Sequence, residues 1–121
     1  MLVLLGITLG SGLGGLARYG ISNLVHGDAL PWATVSINVA GSFLLGVLVV
    51  IPFAWLSEDW REVIGVGVLG GFTTFSTFSV QAFLDFEVGE PGRALLYIAV
   101  SIVGGIAAAT AGYYLTRAIV H

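Results

Sequence analysis

Cysteine and lysine are both absent, and charge of either sign is scarce. Without cysteine the chain can form no disulfide and no thiolate metal site. Charged residues make up 9% of the sequence and hydrophobic ones 57%, where a soluble domain carries about 25% charged residues. That balance excludes a soluble globular domain and identifies an integral membrane protein. All positive side chains other than histidine are arginines, Arg18, Arg61, Arg93 and Arg117. The acids are Asp28, Glu58, Asp59, Glu62, Asp85, Glu87 and Glu90, all in or beside polar connections. The net charge of −3 excludes a nucleic-acid partner. The 121 residues leave no room for a second core beside membrane spans, so 1–121 reads as a single domain.

What is present is long apolar runs. Charged residues punctuate the chain into four of them, about 2–25, 32–56, 63–84 and 94–116, each near the roughly 20 residues that cross a bilayer. The connections HGDALP, SEDWRE and DFEVGEPGR are polar and carry Gly and Pro. The first run has no basic residues ahead of it and exceeds the usual apolar length of a signal peptide, so it reads as a membrane helix. Trp32, Trp55 and Trp60 fall at run ends, where amphipathic rings favour the headgroup region. The sequence thus predicts an all-α membrane protein, a bundle of four transmembrane helices. Small residues recur at four-residue spacing in the first span (Gly6, Gly10, Gly14) and the fourth (Gly104, Ala108, Gly112), as close helix contact in lipid requires.

Arg61 and Arg117 fall on one side of the membrane, Arg93 and the nearer end for Arg18 on the other. Two against two gives no positive-inside bias. Such a chain can insert in both orientations, although a weak bias hidden by the span ends would look the same.

Polar groups inside a span mark function by default. Arg18, in GGLARYG, can snorkel to the interface or lend positive potential to a vestibule. Asn38, in VSINVAGSFLLG, shares a small polar face with Thr34, Gly41 and Ser42; its amide can tie helices or donate to an anion. The third span holds GGFTTFSTFS, with five hydroxyls, three phenylalanines and a glycine pair at its centre. Scattered hydroxyls bond back to a carbonyl one turn earlier, but a cluster after Gly70-Gly71 predicts a broken helix, with freed carbonyls able to hold a cation. Phe75 and Phe78 are neighbours on one face, among Ser76, Thr77 and Ser79. Their ring edges are electropositive, so they could line a path for a small anion without a fixed charge. Tyr97 and Ser101, one turn apart in the fourth span, extend that polar track.

On GLGGLARYG, INVAGSFLLG and GGFTTFSTFS, in that order, the chain resembles the Fluc (CrcB-type) fluoride channels, over nearly its whole length. The resemblance implies a fluoride-selective passive channel that exports cytoplasmic fluoride across the plasma membrane of a prokaryote. It implies an antiparallel dual-topology homodimer with two pores and a structural sodium ion at the dimer centre. Residue by residue, Asn38 matches the pore asparagine, and Phe75 and Phe78 the rings whose edges contact fluoride. Ser76 and Thr77 are the hydroxyls between them, Tyr97 and Ser101 the polar track, and Thr34 joins the pore candidates. Arg18 matches the vestibule arginine. Gly70 and Thr73 match the positions whose backbone carbonyls hold sodium, once from each subunit. One departure is Gln81, where relatives commonly carry glutamate two residues after FSTFS.

Two other classes compete. A small multidrug transporter, also a four-span dual-topology dimer, needs an embedded carboxylate, and no span centre holds one. A non-conducting structural subunit of a heterodimer fits the glycine faces but leaves Asn38 and TTFST unexplained. No enzyme is expected, since there is no intramembrane acid, His26 and His121 lie outside the spans, and no nucleophile has a visible base.

Overall fold

The computed structural model describes residues 1–121 and is all-helical. α1 spans Leu2–Leu24 and α2 Trp32–Val50. α3 (Glu58–Glu62) runs through a wide-turn helical stretch, Val63–Leu69, into α4 (Gly70–Phe72). In the wide stretch the hydrogen bonds reach back five residues, as from the Gly70 amide to the Gly65 carbonyl. After Thr73 and Thr74, α5 covers Phe75–Glu87 and α6 covers Pro91–Val120. Four stretches are long and apolar enough to cross a membrane: Leu2–Leu24, Trp32–Val50, Glu58–Glu87 and Pro91–Val120. The chain is therefore a multi-pass membrane protein.

The span ends differ from the sequence expectation at identifiable residues. The second helix stops at Val50, six residues before the expected end at Leu56. Pro52 has no N–H and disfavours helix at Ile51, which takes ψ 128°. Carbonyls left open at that end are collected by Arg61, whose guanidinium donates to Leu48 at 2.8 Å and to Ile51, and also to Leu56 in the following connection at 3.3 Å. The same group lies 4.2 Å from the centroid of the Phe53 ring, a cation–π contact. SEDWRE, expected to be a loop, supplies the first turn of the third span instead. At the other end Asp85–Glu87 stay helical, and the turn narrows to Val88–Glu90, with Gly89 at φ 82°. Pro91 then opens α6 at the position where a missing N–H costs nothing.

Lipid offers no hydrophobic drive between helices, so close backbone approach matters most. α1 lies against the Val63–Phe72 stretch. A Cβ on Gly14 would collide with the Val68 carbonyl, and one on Gly71 with the Ser11 carbonyl. α2 crosses α6 in the same manner: Gly46 abuts the Ala109 carbonyl, and Gly112 the Phe43 carbonyl. The glycine spacing in the first and fourth spans thus serves contact at Gly10, Gly14 and Gly112. Only 16 of 121 residues are buried. Leu5, Leu9, Leu13 and Leu16 line the outside of α1, an arrangement that lipid tolerates and water would not. The buried apolar cluster is small: Leu30, Val35, Ala82 and Tyr97, with Val39, Phe78, Ile98 and Val100 packed around it.

Candidate functional site at the Thr73-Thr74 junction

The helical backbone continues through both glycines to Phe72 and leaves helical geometry two residues later than the glycine pair alone would place it. Thr73 sits at φ −80°, ψ 159° and Thr74 at φ −148°, ψ 115°. Extended backbone suits β-branched residues. Thr74 then restarts the chain as the N-cap of α5. Its hydroxyl accepts from the Thr77 amide at 3.3 Å and lies 3.1 Å from the Thr77 hydroxyl. Threonine is among the preferred N-caps, and its loss costs about 1 kcal/mol. TTFST is therefore a stop and a start in five residues.

Asn38 holds this junction from α2. Its Nδ2 donates to the Thr74 carbonyl at 2.9 Å, and its Oδ1 accepts from the Thr74 amide at 2.8 Å. The pairing imitates one rung of a β-ladder and fixes which end of the amide is nitrogen. One Nδ2–H remains for another acceptor.

These bonds redirect two amides from their usual helical targets. The Thr74 amide, which would close on the Gly70 carbonyl, goes to Asn38 Oδ1. The Thr77 amide, which would close on the Thr73 carbonyl, goes to the Thr74 hydroxyl. The Gly70 and Thr73 carbonyls thus lose their ordinary i+4 donors, and both residues line one groove. The Thr73 hydroxyl itself donates to Leu69 at 3.0 Å.

That groove measures about 370 Å³ and is lined by Asn38, Gly70, Thr73, Thr74, Phe75, Phe78 and Ser101, among others, with no charged side chain. Ser101 contributes a buried hydroxyl with no hydrogen-bond partner. Phe75 and Phe78 face each other at 5.9 Å between centroids, tilted by 50°. Phe75 is 78% exposed, so it forms an outer lip. The glycine pair divides its labour: Gly71 is a packing glycine against α1, while a Cβ on Gly70 would make only ordinary contact at 3.7 Å, and Gly70 faces the groove.

A second groove, about 420 Å³, lies on the other side of Thr74 and gathers Arg18, Thr34 and Thr77. Arg18 pairs with no carboxylate; the chain's one ion pair joins Arg93 to Asp85 at 3.5 Å. Arg18 therefore leaves its charge free for this second groove. Thr74 lines both grooves. Two of the candidate residues join neither. Ser76 is exposed, and Tyr97 is wholly buried behind Phe78, donating to Gln81 Oε1 at 2.7 Å. One residue that the sequence reasoning did not single out organises the site: Thr74, as cap and backbone partner; Gln81, noted there only as a departure from the family pattern, is the hydrogen-bond acceptor for Tyr97. For Thr74 a signal existed, a hydroxyl residue just ahead of a resuming helical pattern.

A family model described as CrcB-like protein, Camphor Resistance (CrcB), matches residues 5–113. The chain is similar to the fluoride-specific ion channel FluC of Methylobacterium sp. (strain 4-46), 43% identical over 121 residues, with 97% of this chain and 98% of the relative covered. It is 42% identical to a fluoride-specific ion channel FluC of Thermus thermophilus, covering 94% of each chain. To the protein of the same name from Erythrobacter litoralis it is 39% identical, covering 93% of this chain and 90% of the other. Each of these names is that of an ion channel and not of an enzyme.

Proposed function

The chain belongs to the CrcB-like (Camphor Resistance) family, and from that premise we propose that it is a passive, fluoride-selective channel exporting fluoride from the cytoplasm. The observation that carries the reading is the neutral groove in which the free N–H of Asn38, the unpartnered Ser101 hydroxyl and two phenylalanine rings converge. A small, strongly hydrated anion needs several short-range donors to replace its water. Neutral donors and ring edges offer them without a fixed charge that would trap the ion. Arg18, in the adjoining groove, raises local anion concentration by its field. Export follows from chemistry: HF enters from an acidic medium, dissociates inside, and the anion needs a protein path out through the plasma membrane of a prokaryotic cell.

In this reading the working unit is an antiparallel homodimer. The outward-facing Phe75 and the open side of its groove are surfaces that a second copy completes, and the arginine placement favours neither orientation. A sodium ion at the dimer centre fits the donor set. Gly70 and Thr73 offer carbonyls relieved of their helical donors, hard neutral oxygens that suit an alkali cation better than a divalent one. A bound sodium would supply structural positive charge between the subunits. The third span acts as a broken helix held open by Asn38.

The test is efflux from fluoride-loaded proteoliposomes, with valinomycin and potassium carrying the counter-current and no proton gradient. Fluoride release without chloride release is expected. Equal release of both would end the proposal.

A further inference from the structure

Gln81 lines neither groove, yet it is tied to the candidate pore. It lies half-buried on α5, three residues beyond Phe78 and so on the same face. The Tyr97 hydroxyl of α6 donates to its Oε1 at 2.7 Å, a link between these two helices in addition to the Arg93–Asp85 ion pair near their ends. The Tyr97 ring is 0% exposed and is locked among Leu30, Val35 and Ala82. Against that ring rests Phe78, edge-on, at 5.1 Å between centroids and 64° between planes. The contacts close a loop: Phe78 to Tyr97, Tyr97 to Gln81, and Gln81 back to Phe78 through one turn of α5. Thr34 on α2 is the phenol's other hydrogen-bonding neighbour, and an underpaired buried phenol is costly, so without the Gln81 acceptor the Tyr97 ring shifts toward Thr34. Any such shift moves the surface that sets the tilt of Phe78.

We propose that Gln81 is a positioning residue for the Phe78 ring edge, acting through the Tyr97 phenol. The proposal rests on the fluoride-pore reading above, with Phe78 as the group that meets the anion. It differs from a plain tie between helices, because a tie would affect stability and flux together, whereas a positioning contact affects flux at temperatures where every variant is folded.

The experiment compares Gln81→Leu, Tyr97→Phe, the double variant and Gln81→Glu by fluoride efflux and by thermal unfolding. Efflux is read well below all unfolding midpoints. Each single loss of the bond is expected to lower fluoride efflux by about fivefold, the scale of one buried neutral hydrogen bond. The double variant should fall no further than the worse single, since the two groups act as a unit. Gln81→Glu, which keeps an oxygen for the phenol, should stay within about twofold of the parent. Tyr97→Phe alters the ring least and carries the test if Gln81→Leu fails to fold. Parental flux in Tyr97→Phe, additive losses in the double variant, or a loss in Gln81→Glu as large as in Gln81→Leu would overturn the positioning role. No fluoride efflux from the unaltered protein would overturn the pore reading as well, so the two failures are distinguishable.

Discussion

The hydroxyls of this protein fall into two populations. Thr8, Ser22, Ser36 and Thr110 each donate to the carbonyl four residues back, at 2.7–2.8 Å. They hide a polar group within their own helix and ask nothing of their neighbours. Around Thr73-Thr74 the pattern changes. Thr73 and Ser79, at the margins, still bond back by four, but Thr74 caps the next helix and takes Asn38 onto its backbone, while Ser101 has no partner at all. The first population costs nothing to bury. The second leaves donors and carbonyls uncommitted in the middle of a membrane span, where each unmet group costs several kcal/mol, and it is on this contrast that the proposed ion path rests.

Breaking the second population should have the largest effect. Asn38→Leu removes both bonds to Thr74 and leaves a buried amide and carbonyl without partners, at about 1–3 kcal/mol each. Fluoride efflux should fall to the protein-free leak, with a lower unfolding midpoint by thermal melt in detergent. Parental flux in that variant would mean the junction holds its shape without Asn38.

Phe75→Ile and Phe78→Ile come next, because they keep apolar bulk and remove the ring edge. At least one should lose most of its fluoride flux while eluting as the parent does in size-exclusion chromatography. The structure sharpens the pair. Phe78 packs on Tyr97 within the chain and should lose more stability, whereas Phe75, exposed in the single chain, should lose flux with the smaller drop in midpoint.

The glycine pair gives an intermediate contrast. Gly71→Ala drives a Cβ into the Ser11 carbonyl and should destabilise by about 1–3 kcal/mol, as overpacking does. Gly70→Ala meets no backbone closer than ordinary contact, so it should fold normally and change only conduction. Equal midpoints for the two would contradict the division of labour between them. The smallest effect is expected at the first population: Thr8→Ala and Thr110→Ala should alter stability by less than about 0.5 kcal/mol and leave efflux untouched.

Much of this contrast was legible in the sequence, because hydrocarbon punishes polar atoms so heavily that a cluster of them is informative. The four spans, Asn38 and TTFST could be found from charge punctuation and from hydroxyls too dense to be chance. Where the interruption falls was less legible: glycines pointed to Gly70, but the extended pair is Thr73-Thr74, since β-branching and N-capping outweigh the mild helix penalty of glycine. Pro52 was visible, yet the early end of α2 depends on Arg61 arriving from the next helix to take its carbonyls, a long-range event with no local signature. The link from Tyr97 to Gln81 likewise joins two helices and cannot be read from either. Nor could spacing tell Gly70 from Gly71, because only the position of α1 decides which of them is pressed against a neighbour.

The most direct test of the central claim is a reversal-potential measurement in a planar bilayer containing the purified protein, with potassium fluoride on one side and an equal concentration of potassium chloride on the other. A neutral groove that replaces the hydration shell of fluoride alone should give a large potential of the sign that marks fluoride as the permeant ion, unchanged when potassium is exchanged for a bulky cation. A reversal potential near zero, with both halides carrying current, would contradict it.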